Sequence, residues 1–237
     1  MRHRTIRGKI LYITDDIGEE GREYFTITVQ PNGSRTLRAH CEMDNDSLIR
    51  DVTYSLDANW QPEEAFVRLT INEQFQGSAW FQFSKERVQC ESLTREMGRM
   101  TQLENINEHP PSFGGHPICC DTWHSKKGDL LRGKKNIGEL RGIAMSSPLP
   151  NGGSGPSLSF TNVDVEFLGE EDLTTPAGKF STRHFYNHSL RRGFKRQPVE
   201  IWATSDDFIP VRARWELLKQ TYELVELSED DSEKNKT

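Results

Sequence analysis

The chain has 237 residues, of which 34% are hydrophobic and 28% are charged, and its formal net charge is -6. Charges of both signs are mixed with apolar residues, which argues against wholesale disorder. The negative balance excludes a general attraction to nucleic acid or to anionic membranes. No apolar run approaches the ~18 residues of a membrane span, so no transmembrane segment is expected.

The first residues argue against a secretory signal. The basic start Met1–Arg4 is followed by the apolar run Ile10–Ile13, which ends at Asp15 and is too short for the core of a signal peptide. We therefore predict a cytoplasmic protein, in which cysteines are expected to be reduced and buried. The cysteines are Cys41, Cys90, Cys119 and Cys120.

The segment Thr5–Thr94 is patterned as a succession of short strands. The run Arg22–Gln30 is rich in β-branched and aromatic residues and stops at Pro31–Ser34, whose Asn-Gly pair is typical of a tight hairpin turn. Arg35–Met43 and Leu48–Leu56 then alternate between two faces with a period of two. This pattern predicts an antiparallel meander.

The rest of the chain mixes helical candidates with further strands. Glu96–Ile106 has apolar residues at helical spacing, although a strand is the alternative, and Asp121–Leu131 is a second candidate for a short helix. The Gly-, Pro- and Ser-rich segment Ser146–Ser157 predicts a mobile connection or lid. Further strands are expected at Gly138–Met145, Leu158–Leu168, Gly178–Asn187, Val199–Thr204, Ile209–Leu218 and Thr221–Leu227.

Together these elements predict a mainly β protein with one domain over residues 1–227. Its expected architecture is a single curved antiparallel sheet, a half-barrel or barrel, with one or two short helices. The polar, mostly acidic residues 228–237 are expected to form a disordered tail. The basic loop Arg191–Arg196 is either a counter-charge for an acidic ligand or, more simply, a solvated turn.

Two segments in the last quarter of the chain resemble a known family. Thr174–Phe180 contains a Thr-Pro-Ala-Gly turn, and Glu200–Arg212 contains a tryptophan-bearing strand followed by Pro-Val-Arg. This order is similar to a large bacterial family of unassigned function, whose proteins resemble the lipoprotein-carrier half-barrel. The resemblance implies a strongly curved antiparallel sheet whose concave face holds an apolar ligand.

The stretch His109–His124 contains three histidines, two adjacent cysteines, an aspartate and three prolines. His116 and Cys119 have a spacing found among zinc ligands, and His124 could join them, but one such pair is weak support for a metal. We favour a rim stiffened by the prolines, next to a pocket and without a bound metal. The pocket residues expected here are Asp121, Trp123 and His124.

A second cluster lies in Phe180–His188. On a strand, a period of two places His184, Tyr186 and His188 on one face, where they could supply a general base, a phenolic proton donor and a second proton acceptor. The alternative is a solvated edge strand with these side chains outside. The catalytic candidates are His184, Tyr186, His188, Asp51 and His124.

Several predicted strands carry aromatic residues on the face that also bears polar ones. This mixture favours a lined pocket over a face that is simply solvated. The ligand-binding candidates are Arg50, Tyr54, Phe66, Trp80, Phe113, Asp121, Trp123 and Trp202.

The chain contains no G-x-G-x-x-G, P-loop, G-x-S-x-G or H-E-x-x-H motif, so no cofactor is expected. We predict a cofactor-independent acid–base enzyme, a lyase, hydratase, dehydratase or isomerase, acting on an apolar terpenoid, steroid or aromatic in a β-barrel pocket. The alternative is a non-catalytic binding or carrier protein for a hydrophobic small molecule. The expected partner is that ligand, without nucleic acid or a membrane span, and a homodimer is compatible with the sequence.

Overall fold

The structure is a computed structural model and describes residues 3–149, 151–189 and 198–230. Most of these residues lie in β-strands, joined by one α-helix, α1 (Ile118–Leu131), and a 3-10 helix at Glu216–Leu218. In chain order the strands are β1 (Arg4–Thr14), β2 (Gly18–Val29), β3 (Arg35–Met43), β4 (Leu48–Leu56), β5 (Pro62–Ile71), β6 (Gln74–Phe83), β7 (Arg87–Thr94), β8 (Gly98–Asn105), β9 (Phe113–Gly114), β10 (Ile137–Met145), β11 (Ser159–Thr175), β12 (Gly178–Ser189), β13 (Pro198–Thr204), β14 (Pro210–Trp215) and β15 (Gln220–Asp230).

These strands form one sheet in the order β8-β7-β6-β5-β4-β3-β2-β1-β15-β14-β13-β12-β11-β10-β9. Strands β1 to β8 make one meander and β10 to β15 make another. The antiparallel pairing of β1 with β15, from Thr5 opposite Asp230 to Thr14 opposite Gln220, joins the two meanders. Within the described residues β8 and β9 are the edges, so the curved sheet stays open.

The pattern of β4 determines which side chains face the concave interior. Leu48, Val52 and Tyr54 are buried at alternate positions, whereas Ile49 between them is exposed. Burial of the apolar set drives this orientation, because a shift of one residue would move every one of these side chains to the other face. Arg50 belongs to the same inward set and is therefore carried into the interior with it.

Helix α1 lies in the concavity of the sheet rather than on its surface. It contacts strands β9 to β14, and its buried residues have no single apolar stripe. Gly128 allows the helix to approach β11 closely, because a Cβ at this position would lie 2.3 Å from the Cβ of Val165. The helix thus fills much of the interior and places its polar side chains there.

A side-chain amide links β8 to the segment that precedes β11. The Gln102 Nε2 group donates to the Leu158 carbonyl oxygen at 3.2 Å, and the Leu158 N–H donates to Gln102 Oε1 at 2.8 Å. One glutamine side chain therefore satisfies a backbone donor and acceptor beside the open edge.

The expected fold class is confirmed: the protein is mostly β, and its described residues form one curved sheet and one α-helix. The sheet is antiparallel except where β9 pairs parallel with β10. The helix expected at Asp121–Leu131 is present as α1, whereas Glu96–Ile106 is mainly strand β8 rather than helix. Backbone pairing with β7 outweighs the helical spacing there. Leu103 on β8 and Met97 just before it are exposed, so these apolar side chains have no core against which a helix could pack.

The end of the chain differs in detail from the expected tail. Strand β15 continues to Asp230 and so includes Ser228, Glu229 and Asp230 of the predicted tail. Residues 231–237 and the basic loop Arg191–Arg196 lie outside the described residues. Across the described ranges, no helix has the length and apolar character needed to cross a membrane.

Candidate functional site

A cavity of about 280 Å³ lies between α1, the concave face of the sheet and residues 147–149 and 151. Most of its lining is apolar and comes from widely separated parts of the chain, including Met145 on β10, Val163 on β11 and Ile201 on β13. Its charged and titratable lining residues are Arg50, His116, Asp121, His124, Tyr12 and Tyr222.

Arg50 approaches the cavity from β4 and is only 2% exposed. Its Nη2 group donates to the backbone carbonyl of Asn151 at 2.5 Å, so the backbone at Asn151 covers the guanidinium. Gly152 makes this cover possible: its φ is 70°, and a Cβ there would lie 2.5 Å from Arg50 Nη2 and 2.7 Å from His116 Cδ2. The segment expected to form a lid or connection therefore contributes one wall of the cavity.

Asp121 lies in the first turn of α1, and its carboxyl group faces the cavity. Its Oδ1 atom is buried and has no hydrogen-bond partner among the described residues. Burial is the main reason that its pKa rises to about 7; the charge of Glu23 acts in the same direction, and that of Arg50 opposes it. Near neutral pH this carboxyl group can therefore either hold or release a proton.

His124 follows Asp121 by one helical turn. Its Nε2 atom is 3.7 Å from Asp121 Oδ1, too long for a hydrogen bond, and its Nδ1 atom is 2.7 Å from Ser112 Oγ. Burial lowers the pKa of His124 to about 4, so the imidazole is neutral at pH 7. The pair thus combines a carboxyl group that titrates near neutrality with a neutral imidazole.

Glu23 is a further polar residue of this region, and sequence patterning did not single it out. It is fully buried on β2 and accepts hydrogen bonds from the Tyr12 hydroxyl at 2.8 Å and the Ile118 N–H at 2.7 Å. The Cys119 N–H also donates to it, at 3.2 Å. The carboxyl group thereby satisfies the free N–H groups at the start of α1, where Pro117 offers no side-chain cap.

The signal for Glu23 is visible in the sequence once the faces of β2 are known. It occupies the same inward face as Phe25 and Ile27, so a charged residue interrupts an otherwise apolar set. Burial raises the pKa of Glu23, while its hydrogen bonds from Cys119, Tyr12 and Ile118 oppose that shift.

The buried cysteines near α1 are not activated thiols. Burial raises the pKa of Cys41, Cys119 and Cys120, which keeps each of them protonated at neutral pH. Among the described residues no group of three or more His, Cys, Asp or Glu side chains is arranged to hold a metal ion. His116 and His124 both line the cavity, whereas Cys119 is fully buried beside Glu23.

The row His184, Tyr186 and His188 lies on the outer face of β12 and does not line the cavity. His184 Nε2 is 2.8 Å from Glu200 Oε1, and its ring stacks on Trp202 with centroids 4.3 Å apart. The pKa of Tyr186 is raised, chiefly by the charge of Glu200. Carboxylates of the neighbouring strands therefore lie within hydrogen-bond distance of both histidines in this row.

The other sequence-predicted residues fall into three groups. Arg50, Asp121 and His124 line the cavity. Tyr54, Phe113 and Trp123 form a closed aromatic cluster in the core, with ring centroids 5.4 Å apart for Tyr54 and Phe113 and 5.5 Å apart for Tyr54 and Trp123. The outward-facing residues are Asp51, 2.8 Å from His40 Nδ1, together with Phe66, Trp80 and Trp202.

Comparison with known proteins identifies a solved structure with a similar fold. No family model matches the chain, and a search of curated proteins returned no match. Among solved structures, the chain is similar to a β-barrel-like protein of the domain of unknown function DUF1849 from Brucella abortus. The TM-score is 0.59 at 10% sequence identity, and the match covers 97% of this chain and 98% of that chain.

This likeness extends over the whole architecture. It agrees with the expectation of a β-barrel-like protein similar to a family of unassigned function. The further expectation, a likeness to the lipoprotein-carrier half-barrel, stays a prediction. At 10% sequence identity the comparison supports a similar fold and nothing further.

Proposed function

We propose that this protein binds a compact, mainly apolar small molecule in the cavity between α1 and the sheet. The observation that carries the proposal is the cavity itself: about 280 Å³ with mostly apolar walls and a cluster of charged and titratable groups that includes Arg50, Asp121 and His124. Ligand sites typically combine apolar walls with a few orienting polar groups. In this role the apolar walls supply affinity, and the polar groups orient the molecule.

The first test is to identify a molecule that co-purifies with the protein. Native mass spectrometry of the freshly purified chain, followed by solvent extraction, is expected to find one small apolar species in stoichiometric amount. A matched pair of variants on β13 locates it: Val199 lines the cavity and the adjacent Glu200 faces outward. Val199→Trp fills the space and should abolish retention, whereas Glu200→Trp should retain the molecule.

The same variants provide a test if the purified protein contains no bound molecule. In that case decanol and geraniol, two apolar alcohols of suitable size, are titrated into the wild type and both variants. Binding to wild type and Glu200→Trp but not to Val199→Trp supports the proposal. An absence of binding to the wild type, or equal binding to a folded Val199→Trp variant, would overturn it.

A second candidate function is cofactor-independent acid–base catalysis on the same kind of molecule. The specific observation in its favour is the pair Asp121 and His124, whose nearest titrating atoms are 3.7 Å apart and whose pKa values are about 7 and about 4. Asp121 can exchange a proton with a bound molecule near neutral pH, and neutral His124 can accept one through Nε2. The outward row on β12 has no comparable access to the cavity.

The catalytic and carrier roles differ in what happens to the bound molecule. Incubation of the isolated ligand with the protein in D2O should give deuterium incorporation or a new product if the protein is a lyase, hydratase or isomerase. Asp121→Asn should suppress that reaction while retaining the ligand. An unchanged, undeuterated molecule after long incubation supports the carrier role. A homodimer stays a prediction.

A further inference from the structure

Arg50 is a buried cation that forms no close ion pair within the described part of the chain. No carboxylate of the described residues forms an ion pair with it, and its one hydrogen bond to these residues, to the Asn151 carbonyl, uses one of five N–H donors. Buried charges are normally paired, because desolvation without a partner is costly. The guanidinium lines the cavity, so a molecule bound there can provide the partner.

The surrounding charges select the kind of anion. Arg50 is the one Lys or Arg side chain among the described lining residues. The groups whose charge acts on Asp121 include Glu23 on β2 and Arg50 on β4, while His124 faces it from α1. A dianion such as a phosphate monoester would bring a second negative charge towards two carboxyl groups with a single cation available, which disfavours it.

We propose that the molecule bound in the cavity is a small apolar monocarboxylic acid whose carboxylate pairs with Arg50. This inference rests on the proposed function. A guanidinium presents paired N–H donors that match the two oxygens of a carboxylate, which gives orientation as well as affinity. The apolar part of the acid then lies along Met145, Val163 and Ile201.

The volume limits the size of the acid. The cavity is about twice as large as an engineered apolar cavity that holds benzene, so it encloses about a dozen non-hydrogen atoms. An acid of the size of decanoic or geranic acid fits this volume, whereas a steroid skeleton exceeds it. Asp121 in its protonated form can donate a second hydrogen bond to the carboxylate.

The test is isothermal titration at pH 6 with decanoic acid, decanamide and decanol, which share one chain and differ in the head group. For the wild type we expect decanoic acid to bind at least about tenfold more tightly than decanamide. In Arg50→Met that ratio should fall to near one. The matched control is Arg38→Met, which removes an exposed arginine from the outer face of the neighbouring strand β3 and should keep the wild-type ratio.

The outcomes separate this inference from the proposed function. If decanol and decanamide bind the wild type as tightly as decanoic acid, the cavity binds apolar molecules but the acid is not its ligand class, and the inference is overturned. If none of the three binds, the proposed function itself fails. If Arg50→Met does not fold, the wild-type ratio of acid to amide decides the question, with Arg50→Lys as the second variant, for which an intermediate ratio is expected.

Discussion

The cavity and the outer face of β12 contain similar residue types in opposite surroundings. On the outer face His184 and His188 are 2.8 Å and 3.1 Å from glutamate oxygens of adjacent strands, and both side chains are partly exposed. In the cavity Asp121 has a buried oxygen without a partner among the described residues, and His124 is 3.7 Å from it. The difference lies in the hydrogen-bond partners: each histidine outside has a glutamate oxygen within reach, whereas Asp121 Oδ1 inside has no partner among the described residues.

Burial is what shifts the proton affinities of the two residues in the cavity. Burial changes the pKa of Asp121 upward and that of His124 downward, in both cases towards the neutral form. Such perturbed groups in a concave site are candidates for function, whereas a row of histidines that is paired with carboxylates beside solvent is a common surface arrangement.

The largest expected contrast is in stability, between two tryptophans. Trp123 is 2% exposed within the aromatic core, whereas Trp202 stacks on His184 at the outer face. We expect Trp123→Ala to lower the free energy of unfolding by about 3–5 kcal/mol, since it removes a large buried side chain and leaves a cavity. Trp202→Ala should cost about 1 kcal/mol. Urea unfolding measures both, and equal losses would contradict the assignment of the two faces.

A smaller contrast is expected between two glutamates. Glu23→Ala leaves the N–H groups of Ile118 and Cys119 and the Tyr12 hydroxyl without their acceptor, which we expect to cost about 2–3 kcal/mol. Glu200→Ala, the control, removes a carboxylate beside His184 at the outer face and should cost less than about 1 kcal/mol. Urea unfolding at pH 7 measures the free energy of unfolding of both variants. If Glu23→Ala lowers it by less than about 1 kcal/mol, Glu23 does not stabilise the start of α1.

The finest contrast concerns pH. The folded protein binds the Asp121 proton more tightly than the unfolded chain, because its pKa is about 7 in place of 3.8. The stabilising contribution of this group is therefore complete below pH 3.8 and is lost as the pH rises through about 7. Asp121→Asn should gain stability relative to the wild type between pH 5 and pH 8.

The control for this effect is Asp172→Asn, on the exposed part of β11. The hydrogen bond from Lys179 lowers the pKa of Asp172, so this group does not titrate between pH 5 and pH 8. The stability difference between Asp172→Asn and the wild type should be constant over that range. A constant difference for Asp121→Asn as well would show that its carboxyl group is not perturbed in the folded state.

Part of the site follows from local periodicity. A period of two on β4 groups Arg50 with Val52 and Tyr54, and helical spacing brings Asp121 and His124 to neighbouring positions on α1. Glu23 could have been found in the same way, as a charge within the apolar set of β2. These are short-range relations, and the sequence expresses them directly.

The sequence by itself determined most of the strands, the short helix after the prolines, and the grouping of side chains on alternate faces, because these depend on backbone geometry and on neighbours a few residues away. It did not determine β8, whose helical spacing was outweighed by pairing with β7. It did not determine which side chains of β12 face the concave interior. Both faces of that strand carry polar residues, so the alternation of side chains does not indicate which face is buried. Only the tertiary structure decided this, through the pairing of β12 with β11 and β13 and the burial of Phe185 against the core. The same long-range packing brings Arg50 from one meander and Asp121 from the enclosed helix into the lining of one cavity, and this creates the candidate site.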